Sequence, residues 1–145
     1  MLLLKMLRGL FVALLLVSGL TKFADLAGFI AVVDTYVVLP AALLAPAATA
    51  LASTEVGLAL WLASGQQLVR ASTAVLALHV VYLTWITVAF TRGLNIPNCG
   101  CFGVYFPRPL TIARIIEDLV LVVLAIWLLR SAAYRVTRSA AQRSA

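Results

Sequence analysis

Long apolar runs, broken only by short polar gaps, constrain this chain more than any other feature. Residues 2–20, 41–63, 69–90 and 110–129 are each apolar over close to the length that a helix needs to cross a bilayer, about 20 residues. In hydrocarbon the backbone must satisfy its own hydrogen bonds, so runs of this kind become helices. The expected fold class is therefore all-α: an integral membrane four-helix bundle, one domain over residues 1–145. Composition agrees, with 64% hydrophobic and 11% charged residues and a mean hydropathy of +1.10, against roughly 25% charged residues in a soluble domain.

The gaps set the topology. The first run has a basic start and also fits a secretory signal peptide, but no convincing small-x-small cleavage site follows it, so a retained helix is expected. Residues 21–39 carry Lys22, Asp25 and Asp34 and suit a short interfacial helix between the first and second crossings, covering a site from above. Residues 64–67 make a tight turn, residues 94–109 form a proline-stiffened loop, and residues 130–145 are a basic tail suited to anionic headgroups. The net charge of +6 is concentrated at the ends of the runs. Lys5, Arg8, Arg70, Arg130, Arg135, Arg138 and Arg143 fall on one side, against Lys22, Arg92, Arg108 and Arg114 on the other. The positive-inside rule then puts both termini in the cytoplasm of a bacterial inner membrane and the 94–109 loop in the periplasm. Nothing in this pattern resembles a nucleic-acid reading motif, so nucleic acid is not an expected partner.

That loop holds both cysteines, in Asn98-Cys99-Gly100-Cys101-Phe102-Gly103. Cysteines at i and i+2 can close a very small ring, and Gly100 supplies the turn it needs. Such a disulfide would be strained and so exchange readily with other thiols. Cys99 and Cys101 are the candidate redox pair; the alternative is two inert cysteines in a loop. Arg92, Arg108 and Arg114 lie near them in sequence and are candidates for lowering a cysteine pKa. They are equally readable as interfacial anchors, and Arg114 as the partner of Glu117 and Asp118 at i+3 and i+4. Glu55, His79, Glu117 and Asp118 fall within apolar runs and are expected to face the interior, holding helices together or handling protons and a quinone. Trp61, Tyr82 and Trp85 read as packing residues. Two cysteines and one distant histidine fall short of a four-ligand zinc site.

The stretch Arg92-Gly93-Leu94 followed by Cys99-Gly100-Cys101-Phe102-Gly103 resembles the signature loop of the MauE branch of the MauE/DoxX family of redox-associated membrane proteins. Ser18-Gly19-Leu20 with Lys22 and Asp25, Tyr36 ahead of Leu39-Pro40, Glu55 with Gly57, and Asp118 are similar too. The resemblance implies a four-helix membrane bundle working beside periplasmic thioredoxin-like proteins, as in the maturation of methylamine dehydrogenase, with Cys99 and Cys101 as the redox pair. The expected function is a membrane thiol-disulfide oxidoreductase that assists disulfide formation in a periplasmic partner, exchanging electrons with the quinone pool or a cytoplasmic donor. Phe102, Gly103 and Arg108 would shape the loop. The alternative is a non-catalytic membrane anchor or assembly subunit of a larger quinone-linked redox complex, in which the loop is a docking surface. Solute transport ranks last, because one acidic and one histidine position do not outline a pathway.

Overall fold

The computed structural model describes residues 2–143. Met1, Ser144 and Ala145 lie outside the described residues, and so do the side chains of Ser139, Ala140, Ala141 and Arg143 within the expected basic tail. Five helices are described: α1 (Leu2–Ala24), α2 (Leu26–Asp34), α3 (Ala41–Ser64), α4 (Leu68–Thr91) and α5 (Ile112–Arg143). Three of them, α1, α3 and α4, are long and apolar enough to cross a membrane. The fourth expected crossing is part of a longer helix. α5 carries Arg114, Glu117 and Asp118 in its first two turns, and it continues past Arg130 through the stretch read as a tail.

The long helices pack in a closed order, α1 on α3, α3 on α4, α4 on α5 and α5 on α1, while α2 lies against α3. Phe11, Leu15, Leu62, Val75 and Leu128 are buried where these helices meet. A second cluster, Tyr36, Ile86, Ala89, Ile96 and Leu110, fills the space under the loop between α4 and α5.

Local chemistry explains the breaks. Asp25 ends α1 and caps α2, its carboxylate accepting from the Gly28 amide at 2.8 Å. α3 starts after Pro40 and stops at Gly65, whose φ of 71° terminates the helix, a conformation that glycine adopts without a Cβ penalty. Arg8, one of the basic residues assigned to the cytoplasmic side, donates from Nε to the Leu62 carbonyl at 2.8 Å and from Nη2 to the Ala63 carbonyl. A cation there satisfies carbonyls that the helix end leaves unpaired. This contact joins the start of α1 to the end of α3. The other end of the molecule is consequently built from the end of α1, α2, the start of α3, the end of α4 and the start of α5.

Candidate functional site

At that second end the loop over residues 92–111 folds back on itself. The Cys99 amide donates to the Arg108 carbonyl at 2.8 Å and the Leu110 amide to the Ile96 carbonyl at 2.9 Å. Asn98 braces the turn: its Oδ1 accepts from the Gly100 amide and its Nδ2 donates to the Gly103 carbonyl, both at 3.0 Å. Gly100 has φ of 77°, and a Cβ there would stand 2.9 Å from Val32 on α2. Gly103, at φ of 63°, crosses the backbone of Thr21 so closely that a Cβ would meet its carbonyl oxygen at 3.0 Å. Both positions therefore demand glycine.

The loop is then fastened to the helices through the cysteine carbonyls. Tyr36 donates its hydroxyl to the Cys99 carbonyl at 2.8 Å. The Cys101 carbonyl lies 2.5 Å from Ser18 Oγ and 3.1 Å from Lys22 Nζ. Lys22 is only 1% exposed, and its ammonium is held by Glu55 on α3, at 2.6 Å from Oε1 and 2.7 Å from Oε2. Ser18 Oγ lies 2.9 Å from the same carboxylate, and Tyr82 on α4 donates to it as well. Two buried charges are tolerable only when paired and hydrogen-bonded in this way. The ion pair thus ties α1, α3 and α4 to the backbone of Cys101.

The two sulfurs stand 3.1 Å apart with no bond between them. Cys99 is buried and Cys101 exposed. The hydrogen bond from Cys101, helped by the charge of Arg114, brings the Cys99 thiol down to about 6, against the opposing effect of burial. Cys101 is pushed far up because it keeps the proton it donates to Cys99, and burial of its sulfur adds to this. The pair is poised as one thiolate and one thiol, and the thiolate is the nucleophilic form. Burial also pushes the Tyr36 hydroxyl up, with the cysteine charges adding, so it remains a donor to the loop.

Two cavities flank the pair. One, of about 270 Å³, lies between α2, α3 and α4 and is walled by Phe29, Val33, Leu51, Val81 and Trp85, with Lys22, Tyr36, Tyr82 and both cysteines also on its lining. The other, of about 90 Å³, lies toward α5 and is lined by Ser18, Glu55, His79, Arg108, Arg114, Glu117 and Asp118 along with the same cysteines. Asp118 Oδ2 is buried there without a hydrogen-bond partner among the described residues.

A family model described as methylamine utilisation protein MauE matches residues 1–131. The chain belongs to the MauE family. No curated protein and no solved structure matches it. The span matched to MauE takes in every residue of the site, from Ser18 to Asp118.

Within this MauE chain, the residues singled out from sequence converge unevenly. Cys99, Cys101, Phe102, Arg108, Glu55, His79, Arg114, Glu117 and Asp118 all line the smaller cavity. His79 Nδ1 donates to the Val75 carbonyl at 2.9 Å, and the ring packs edge-on against Phe11. Arg92 is directed elsewhere, to the Tyr36 carbonyl at 3.2 Å. Glu117 does not face the interior as expected. Its side chain is 51% exposed and pairs with Arg108 and Arg114, because the end of the loop and the first turn of α5 bring those two cations to it. Asp118 does not share Arg114 with it. Arg108 stacks over Phe102, and its backbone, rather than its charge, positions Cys99.

From the sequence Lys22 is a polar interruption, an outer-side basic residue and part of the family resemblance, and Tyr82 a packing residue; both belong to the ion-pair cluster. Ser18 and Tyr36 were visible in the family resemblance without a role. No periodicity reveals them, because each acts on a residue far along the chain.

Proposed function

We propose that this MauE-family protein is a membrane thiol-disulfide oxidoreductase whose Cys99–Cys101 pair takes electrons from the thiols of an extracytoplasmic client. The carrying observation is the sulfur pair itself, 3.1 Å apart in a loop clamped by Tyr36, Ser18 and Lys22. The family description supports a place in methylamine utilisation, with a thioredoxin-like protein or a disulfide-containing client as partner. In this reading α5 is the fourth crossing, residues 1–145 form one domain, both termini are cytoplasmic and the loop is periplasmic.

In the oxidised pair a client thiolate attacks Cys101, the exposed member, and the Cys99–Cys101 bond breaks with Cys99 leaving as the thiolate. A thiol of lower pKa is the better leaving group. A second client thiolate then attacks the client–Cys101 bond, so the client gains a disulfide and Cys101 leaves with the electron pair and takes up a proton. Glu55 is occupied by Lys22, Ser18 and Tyr82 and Glu117 by Arg108 and Arg114, which leaves Asp118 as the carboxylate on the small cavity placed to supply that proton.

The test is trapping in intact cells. In Cys99→Ser, Cys101 that has exchanged onto a client disulfide has no neighbouring thiolate to release it, so a mixed disulfide with the client is expected to accumulate, more than in Cys101→Ser. Cysteines that stay reduced and exchange with nothing would sink this reading.

A second reading has its own support: Tyr105 and Phe106 at the loop tip are 56% and 57% exposed, as a docking surface for a larger redox complex requires. If the protein is an anchoring subunit, replacing both cysteines by serine leaves association intact while Phe106→Ala disrupts it.

A further inference from the structure

We propose that the larger cavity, about 270 Å³, is the binding site of a lipid-soluble quinone that reoxidises the cysteine pair. The proposal rests on the redox reading above and names the oxidant that this reading requires.

The cavity is amphiphilic in a directed way. Its charged and hydroxyl groups are all joined to the cysteine loop or to the cluster beneath it: Tyr36 to the Cys99 carbonyl, Lys22 to the Cys101 carbonyl, and Tyr82 to Glu55. The rest of the wall is apolar, including Ala47, Leu51 and Trp85. Polar redox chemistry thus sits at one end of a greasy slot. Val81, on the wall, is 57% exposed and belongs to α4, one of the helices apolar enough to cross a membrane. The mouth therefore opens toward hydrocarbon rather than water.

These features select the occupant. A water-soluble disulfide would leave its charges unsolvated against such a wall. A phospholipid tail suits the wall but accepts no electrons, and it gives no reason for the slot to end on a thiol pair. A quinone with an isoprenoid tail satisfies both requirements. The volume lies near the lower end of ligand pockets, about 300–1,000 Å³, enough for a ring and the first part of a tail whose remainder lies in lipid. The step balances: the Cys99 thiolate and the Cys101 thiol form the S–S bond, and two electrons pass to the quinone with the Cys101 proton and a second proton taken up from water, so that it leaves as the quinol.

The full chain, reduced and placed in quinone-free lipid nanodiscs, is mixed with decylubiquinone while quinol formation and thiol loss are followed. One quinone is expected to be reduced per cysteine pair. Ala47→Phe, which fills the slot, and Val81→Trp at its mouth are each expected to slow the reaction at least tenfold. Both variants should react with oxidised glutathione as fast as the parent, which reports an intact fold and pair. Reaction with glutathione but not with quinone, or quinone reduction indifferent to both fillers, overturns the quinone site and leaves the thiol-disulfide reading standing. Cysteines inert to both oxidants remove the two together.

Discussion

Each end of α1 presents a cation to backbone carbonyls, and the two contacts differ in kind. Arg8 is half-buried and binds the carbonyls of Leu62 and Ala63 at the close of α3, with no carboxylate paired to it among the described residues. Lys22 is buried, binds the Cys101 carbonyl and requires Glu55 beside it. A guanidinium near water keeps part of its hydration, so the first contact is a simple fastening. An ammonium removed from water costs several kcal/mol, on the order of what its counter-ion returns. An arrangement that gains so little stability is better understood as a device for placing the loop.

The largest expected effect breaks that device. Glu55→Gln leaves the Lys22 charge buried and unpaired, and should cost about 3–5 kcal/mol in unfolding measurements on detergent-solubilised protein. The double replacement Lys22→Met with Glu55→Leu should recover most of that loss without restoring normal cysteine exchange, since the Cys101 carbonyl has lost its ammonium donor and keeps only Ser18. If the double variant exchanges thiols at the parent rate, the pair serves stability alone.

Next in size is the reactivity of Cys99. Alkylation in the reduced protein should fall about tenfold for each pH unit below about 6, where the thiolate is protonated. Because the hydrogen bond from Cys101 is the main cause of the lowered value, Cys101→Ala should move the midpoint upward toward the ordinary thiol range. Arg8→Met tests the opposite end. It should cost about 1 kcal/mol of stability, the scale of a hydrogen bond, and leave the Cys99 pH profile unchanged. Smallest is Arg108→Ala, whose ion pair with Glu117 is half-exposed on both sides and should be worth under about 1 kcal/mol.

The contrast also explains what could be read in advance. Glu55, His79 and Asp118 stand within apolar runs, where an ionisable group is too costly to face lipid, and all three are buried. The same rule misplaced Glu117, since two arginines at the edge of α5 give it a surface partner. Lys22 escaped the rule altogether. It stands at the end of an apolar run, where a lysine normally extends to the interface; here the side chain turns inward because α1 lies against α3.

By itself the sequence determined that this chain is helical and suited to a membrane, and that its two sulfurs lie a glycine apart in a stiff loop, since hydrophobicity and short spacing are local properties. Only the tertiary structure decided what those sulfurs rest on. Lys22 meets Glu55, Tyr36 meets Cys99 and Ser18 meets Cys101 across 33, 63 and 83 residues of chain. Contacts over such separations follow from which helix packs on which, and no local pattern encodes them.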